Sequence, residues 1–140
     1  TETLLVPMGQ QTLETGSESV FKPQSPPENY VNDAAIPLTL RPGVFRDNSR
    51  DVANLKDFVQ GFSPRYSEIT APSVIITGDK DDVVLPSIHS VGLERDIAGA
   101  KLIVLSGVGH KPEYSATQTV IEAIETVAGF TELAADQPPD

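Results

Sequence analysis

The spacing of apolar residues changes along the chain, from weak or helical in the first half to short continuous runs in the second. Residues 1–27 are rich in Thr, Gln, Ser, Gly and Pro around one apolar patch, Leu4, Leu5, Val6 and Met8. Such a segment predicts loop with one short helix. Pro27 suits the first turn of a helix over "ENYVNDAAI", which should stop before Pro37 because a residue preceding proline is pushed out of the α region. In "NSRDVANLKDFVQG" the residues Val52, Leu55, Phe58 and Val59 recur at helical spacing, with Asn48 or Ser49 as the cap and Gly61 as the stop.

From Ile69 onward the pattern predicts alternating strands and helices. "SVIIT" (Ser73 to Thr77) and "KLIVL" (Lys101 to Leu105) are short, β-branched and continuously apolar, as parallel strands covered on both faces are. Between them Pro86 opens a helix through about Ala98, with Gly99 at its end, which makes a βαβ unit. A last helix, about Ser115 to Ala128, lines up Val120, Ile121, Ile124 and Val127 before Gly129. The tail from 131 to 140 is acidic, ends in prolines and is expected to fray. Two strands leave both edges of a sheet open and its faces uncovered. Either further strands lie within residues 1–45 or they come from another chain.

Composition narrows the partners. Ten Lys and Arg against twenty Asp and Glu give a net charge of −10, which repels nucleic acid and anionic membrane surfaces and leaves small molecules open. No apolar run approaches the roughly 20 residues needed to span a bilayer, and no secretory signal is recognisable. The sequence leaves the compartment open between cytoplasm and periplasm for a soluble chain, and the start at Thr1 reads as a processed or internal terminus. There is no cysteine, no Gly-rich phosphate loop and no ligand cluster, so neither metal nor organic cofactor is expected.

The candidate chemistry lies where the two strands end. Parallel strands joined by a crossover deliver their following loops to one edge, about 4.8 Å apart if the strands are neighbours. That places "GDKDD" (Gly78 to Asp82) beside "GVGHKP" (Gly107 to Pro112). A carboxylate in the first can accept the Nδ1 proton of His110 and leave Nε2 free as a base, while Gly107 and Gly109 permit the turn that brings the ring back.

Together, "YSEITAPSVIITGDKDDVVLP", the helix after it, "GAKLIVLSGVGHKP" and the closing helix resemble the C-terminal part of an α/β-hydrolase. The resemblance implies Asp81 as the catalytic acid, third after the strand-ending glycine, with Asp79 and Asp82 less favoured, and His110 as the catalytic base. It covers residues 66 to 129 and implies an α/β fold: two parallel strands with flanking helices in 66–130, preceded in 1–65 by a helical cap. It departs from the family in lacking a nucleophile elbow, since "TGSES" around Ser17 and "LSGVG" around Ser106 have neither its spacing nor its strand–turn–helix setting. The implied partner is therefore an N-terminal fragment of the same hydrolase, held non-covalently and carrying the nucleophile.

The function implied is a serine esterase-like hydrolase acting on a small apolar ester or related acyl substrate. Alternatives are an aspartate-nucleophile enzyme of the epoxide hydrolase or dehalogenase kind, and a non-catalytic binding module. His89 reads as a surface or packing residue within a helix. Arg41, Arg46 and Arg50 read as balance for an acidic surface, and Thr1 as an N-terminal nucleophile lacks the strand-rich sandwich that chemistry needs.

Overall fold

The computed structural model describes residues 2–129, and the frayed tail expected for 131–140 lies outside them. The chain divides into two compact units, Thr1–Tyr66 and Ser67–Asp140.

The first unit is helical. Helix α1 spans Glu2–Phe21, which corrects the expectation of loop with one short helix. Pro7, Gly9 and Gly16 interrupt any amphipathic stripe, so periodicity gave no sign of it. Packing at its end does instead: Phe21, only 1% exposed, meets Tyr30 edge to face with ring centroids 4.8 Å apart. Helix α2 is short, Tyr30–Asp33, and the helix expected to end before Pro37 gives way to a 3-10 turn, Ile36–Leu40, that contains this proline. Proline lacks only an N–H that a first turn would leave unpaired, so Pro37 opens a turn as readily as it closes one.

Helix α3 spans Pro42–Phe62 and begins six residues ahead of the expected cap. Pro42 occupies its first turn; Asn48 and Ser49 are interior, and the Ser49 hydroxyl donates to the Phe45 carbonyl at 2.7 Å. Gly61 lies inside the helix and does not stop it. The stripe of Val52, Leu55, Phe58 and Val59 is present but open to water, Val52 being 64% and Phe58 65% exposed. Phe58 stacks on Phe62 at 5.7 Å, and the Arg65 guanidinium sits over the Phe62 ring at 5.2 Å. Among the described residues up to 45 there is no strand, so the sheet gains nothing from that part of the chain.

The second unit is α/β, two parallel strands with flanking helices. Strand β1 (Val74–Gly78) pairs in parallel with β2 (Lys101–Leu105), from Val74 opposite Lys101 to Gly78 opposite Leu105. The β-branched residues Val74, Ile75, Ile76 and Thr77 suit a pleated, covered surface. The crossover helix α4 is shorter than expected, Ser90–Asp96, and packs on both strands. Pro86 to His89 form a wider turn ahead of it, in which the Val91 N–H reaches back to the Pro86 carbonyl at 3.0 Å.

The last helix comes in two pieces, α5 (Pro112–Ser115) and α6 (Thr117–Val127), because Ala116 leaves the helical region at φ −138° and ψ 47°. Gly129, at φ 79°, ends the second piece with its N–H on the Thr126 carbonyl, a left-handed stop that glycine accommodates without strain.

The buried apolar residues of this unit, among those described, are Ile97 and Ala123. The sheet is better covered at the end of β1, where Thr77 and Gly78 are buried, than along β2, where Val104 is 55% exposed.

Candidate active site

Because Gly78 and Leu105 face each other at the ends of the two strands, the loops that follow start side by side. Backbone and side-chain bonds then tie them together. The Asp79 N–H donates to the Leu105 carbonyl at 3.0 Å, the Lys80 N–H to the Val108 carbonyl at 2.9 Å, and the Gly107 N–H to Asp79 Oδ1 at 2.7 Å. Gly107 takes φ 73°, a left-handed conformation open to glycine, and so turns the second loop back toward the first. Gly78 is needed for a different reason. A Cβ placed there would overlap the Val108 carbonyl group and lie 2.6 Å from the Gly109 oxygen, so only a residue without a side chain lets the loops approach this closely.

Asp81 is the residue that both loops surround. It is 8% exposed, and its two oxygens have separate partners. Oδ1 accepts the N–H groups of Val83 at 2.9 Å and Val84 at 2.8 Å, while Oδ2 lies 3.0 Å from His110 Nδ1. The loop-bonding role open to an aspartate here and the imidazole-facing role thus coexist on one carboxylate.

The strongest single influence on its ionisation is burial, which pushes its pKa up. Hydrogen bonds from the Val84 N–H, from His110 and from the Val83 N–H, with the attraction of a protonated His110, outweigh that, and the carboxyl sits below its ordinary value of 3.8. An ionised carboxylate only accepts hydrogen bonds, so His110 Nδ1 carries the proton and Nε2 of the neutral ring holds the lone pair. The His110 side chain is 28% exposed, against 8% for Asp81, so the ring has solvent access while the carboxylate behind it does not. The arrangement is an imidazole oriented by a buried carboxylate.

The lowered carboxyl has a consequence for acid stability. The unfolded chain binds a proton on Asp81 at about its ordinary value, so between that value and the lower folded one the unfolded state is the more protonated. The stabilisation is complete above the unfolded value and is lost as pH falls through the folded one. The gap in urea midpoint between the wild type and Asp81→Asn is expected to shrink as pH is lowered from about 5 to about 3. A gap constant over that range would show that Asp81 is not selectively stabilised as an anion.

The other candidates sit apart from this contact. Asp79 faces the His110 loop at Gly107 rather than the ring, and Asp82 is exposed. His89 is exposed and immediately precedes α4. Arg41, Arg46 and Arg50 are exposed, with Arg50 3.7 Å from Asp47. Ser17 lies within α1 and Ser106 in the exposed turn after β2, neither in a strand–turn–helix setting; Thr1 lies outside the described residues.

No His, Cys, Asp and Glu side chains are grouped to hold a metal ion among the described residues, and none of the helices there is long and apolar enough to cross a membrane. The roles of Asp79 and Gly78 as loop ties were not anticipated from the sequence. The available signal was the Gly-Asp pair closing an apolar strand opposite a Gly-x-Gly-His turn. Comparison with known protein families and with curated proteins finds no match to this chain.

Proposed function

We propose that this chain supplies the acid and base of an α/β-fold hydrolase, with Asp81 orienting His110 and His110 serving a serine nucleophile carried by a polypeptide that extends the sheet. The observation that carries the reading is the Asp81 carboxylate, fixed through one oxygen by two backbone N–H groups and presenting the other to His110 Nδ1 at 3.0 Å. Surface packing would rarely bury an ionised carboxylate for such a partner; an imidazole that must become charged in each turnover gains directly from it.

Chemically, His110 Nε2 takes the serine proton as the oxygen attacks the ester carbonyl carbon. The leaving alkoxide then collects that proton from Nε2, and water repeats the sequence on the acyl-enzyme. Asp81 stabilises the imidazolium in both halves without taking its proton. The need for added strands is supported by the sheet itself: two strands among the described residues, with both edges open there, and Val104 exposed near the end of β2. An apolar ester is the substrate class inferred from the resemblance to the family.

The test is labelling with a fluorophosphonate probe of the protein purified undenatured, together with any polypeptide that accompanies it. Adduct on a serine of the accompanying polypeptide is expected, with labelling and p-nitrophenyl ester hydrolysis at least about a hundredfold slower in His110→Ala. Equal rates in the wild type and the variant would remove His110 from the chemistry.

A further inference from the structure

We infer that Asp79 is the positioning residue that holds His110 against Asp81, by fastening the histidine-bearing loop to the acid-bearing loop. Asp81 and His110 come from different strands, and 29 residues separate them. Asp81 is fixed locally by Val83 and Val84, whereas His110 also needs its loop held at a set distance from the acid. The Asp79 carboxylate supplies that constraint. Its Oδ1 accepts the Gly107 N–H at 2.7 Å, a side-chain bond spanning 28 residues and shorter than either backbone bond between the same loops.

These ties are ordered along the turn: Leu105 and Gly107 are bound by Asp79, and Val108 by Lys80. His110 follows two residues after the last of them. A bond to an ionised acceptor is the stronger kind, and here it fixes the N–H of the one loop residue held at positive φ, where the chain direction turns toward the ring. Oδ2 of Asp79 lies 3.8 Å from Lys80 Nζ, so the carboxylate is engaged from both sides.

The kinetic consequence rests on the proposed hydrolase reading; the placement of the ring does not. The experiment therefore reads both, on the undenatured protein with any polypeptide that accompanies it. NMR follows the His110 Nδ1 proton, which a hydrogen bond to a carboxylate protects from exchange with water, in the wild type, Asp79→Ala and Asp79→Asn. The alanine variant is expected to lose that protected signal and to lower kcat by about ten- to a hundredfold with KM unchanged, as a loosened base does. The asparagine variant keeps an oxygen for the Gly107 N–H and is expected to retain the signal and to stay within about threefold of wild-type kcat.

Asp79→Ser, polar but too short to reach Gly107, serves the same comparison if the alanine variant does not fold. A protected Nδ1 proton unchanged in the shortened variants, or equal loss in the asparagine variant, would overturn the assignment. If instead turnover is also unaffected by His110→Ala, the hydrolase reading fails, and the Nδ1 signal alone decides the role of Asp79.

Discussion

Gly78→Ala is expected to part Asp81 from His110, lowering stability by about 3 kcal/mol and, on the proposed hydrolase reading, turnover by at least about a hundredfold. The added methyl would overlap the Val108 carbonyl and crowd the Gly109 oxygen. Both obstacles are backbone, so no rotamer change relieves the clash and the whole turn from Leu105 to His110 has to move. That movement strains the Lys80 bond to the Val108 carbonyl and shifts the imidazole from its place 3.0 Å from Asp81. A displacement of about 1 Å at a reacting group is enough for a hundredfold loss. Urea denaturation and ester turnover measure the two effects. Wild-type values in both would mean that the loops are not packed this closely. Gly61, where a Cβ meets nothing within 4 Å, is the natural control position.

Asp81→Asn is expected to cost about ten-thousandfold in kcat while leaving the fold intact. The asparagine oxygen can still accept the N–H groups of Val83 and Val84, which fixes the amide and turns its NH2 toward His110. A donor facing Nδ1 forces that nitrogen to accept, and the ring proton moves to Nε2. On the proposed hydrolase reading, the base is then protonated at the atom that should take the proton. Nitrogen-15 spectra of the ring distinguish the two tautomers directly, and kcat follows them. A variant within about tenfold of wild type and retaining the Nδ1–H tautomer would show that the carboxylate does not orient the imidazole.

The βαβ unit was legible because its strands are unbroken β-branched runs, "SVIIT" and "KLIVL", and each ends at small residues. Parallel direction alone then brings residues 79–82 and 107–110 to one edge, whereas the choice of Asp81 over Asp79 and Asp82 as the acid that meets His110 came from the resemblance and not from topology. The first unit was less legible. Helix α1 has no apolar stripe for periodicity to find, and α3 announces its start with Pro42, whereas Asn48 and Ser49 looked like caps yet lie in its interior. The Asp79 and Gly78 ties were hidden for another reason. Each depends on distance between residues about thirty positions apart, and a single glycine or aspartate after a strand fits many loops equally well.

Val104, wetted near the end of a parallel strand, has a bearing on how the polypeptide behaves during synthesis. An uncovered strand of this kind invites pairing with any other unsatisfied chain, including copies of itself, and is what chaperones and proteases recognise. The surplus of ten negative charges works against such encounters by mutual repulsion. That protection reaches only about 8 Å at physiological ionic strength, so concentrated salt would strip it away and leave the bare strand to find company.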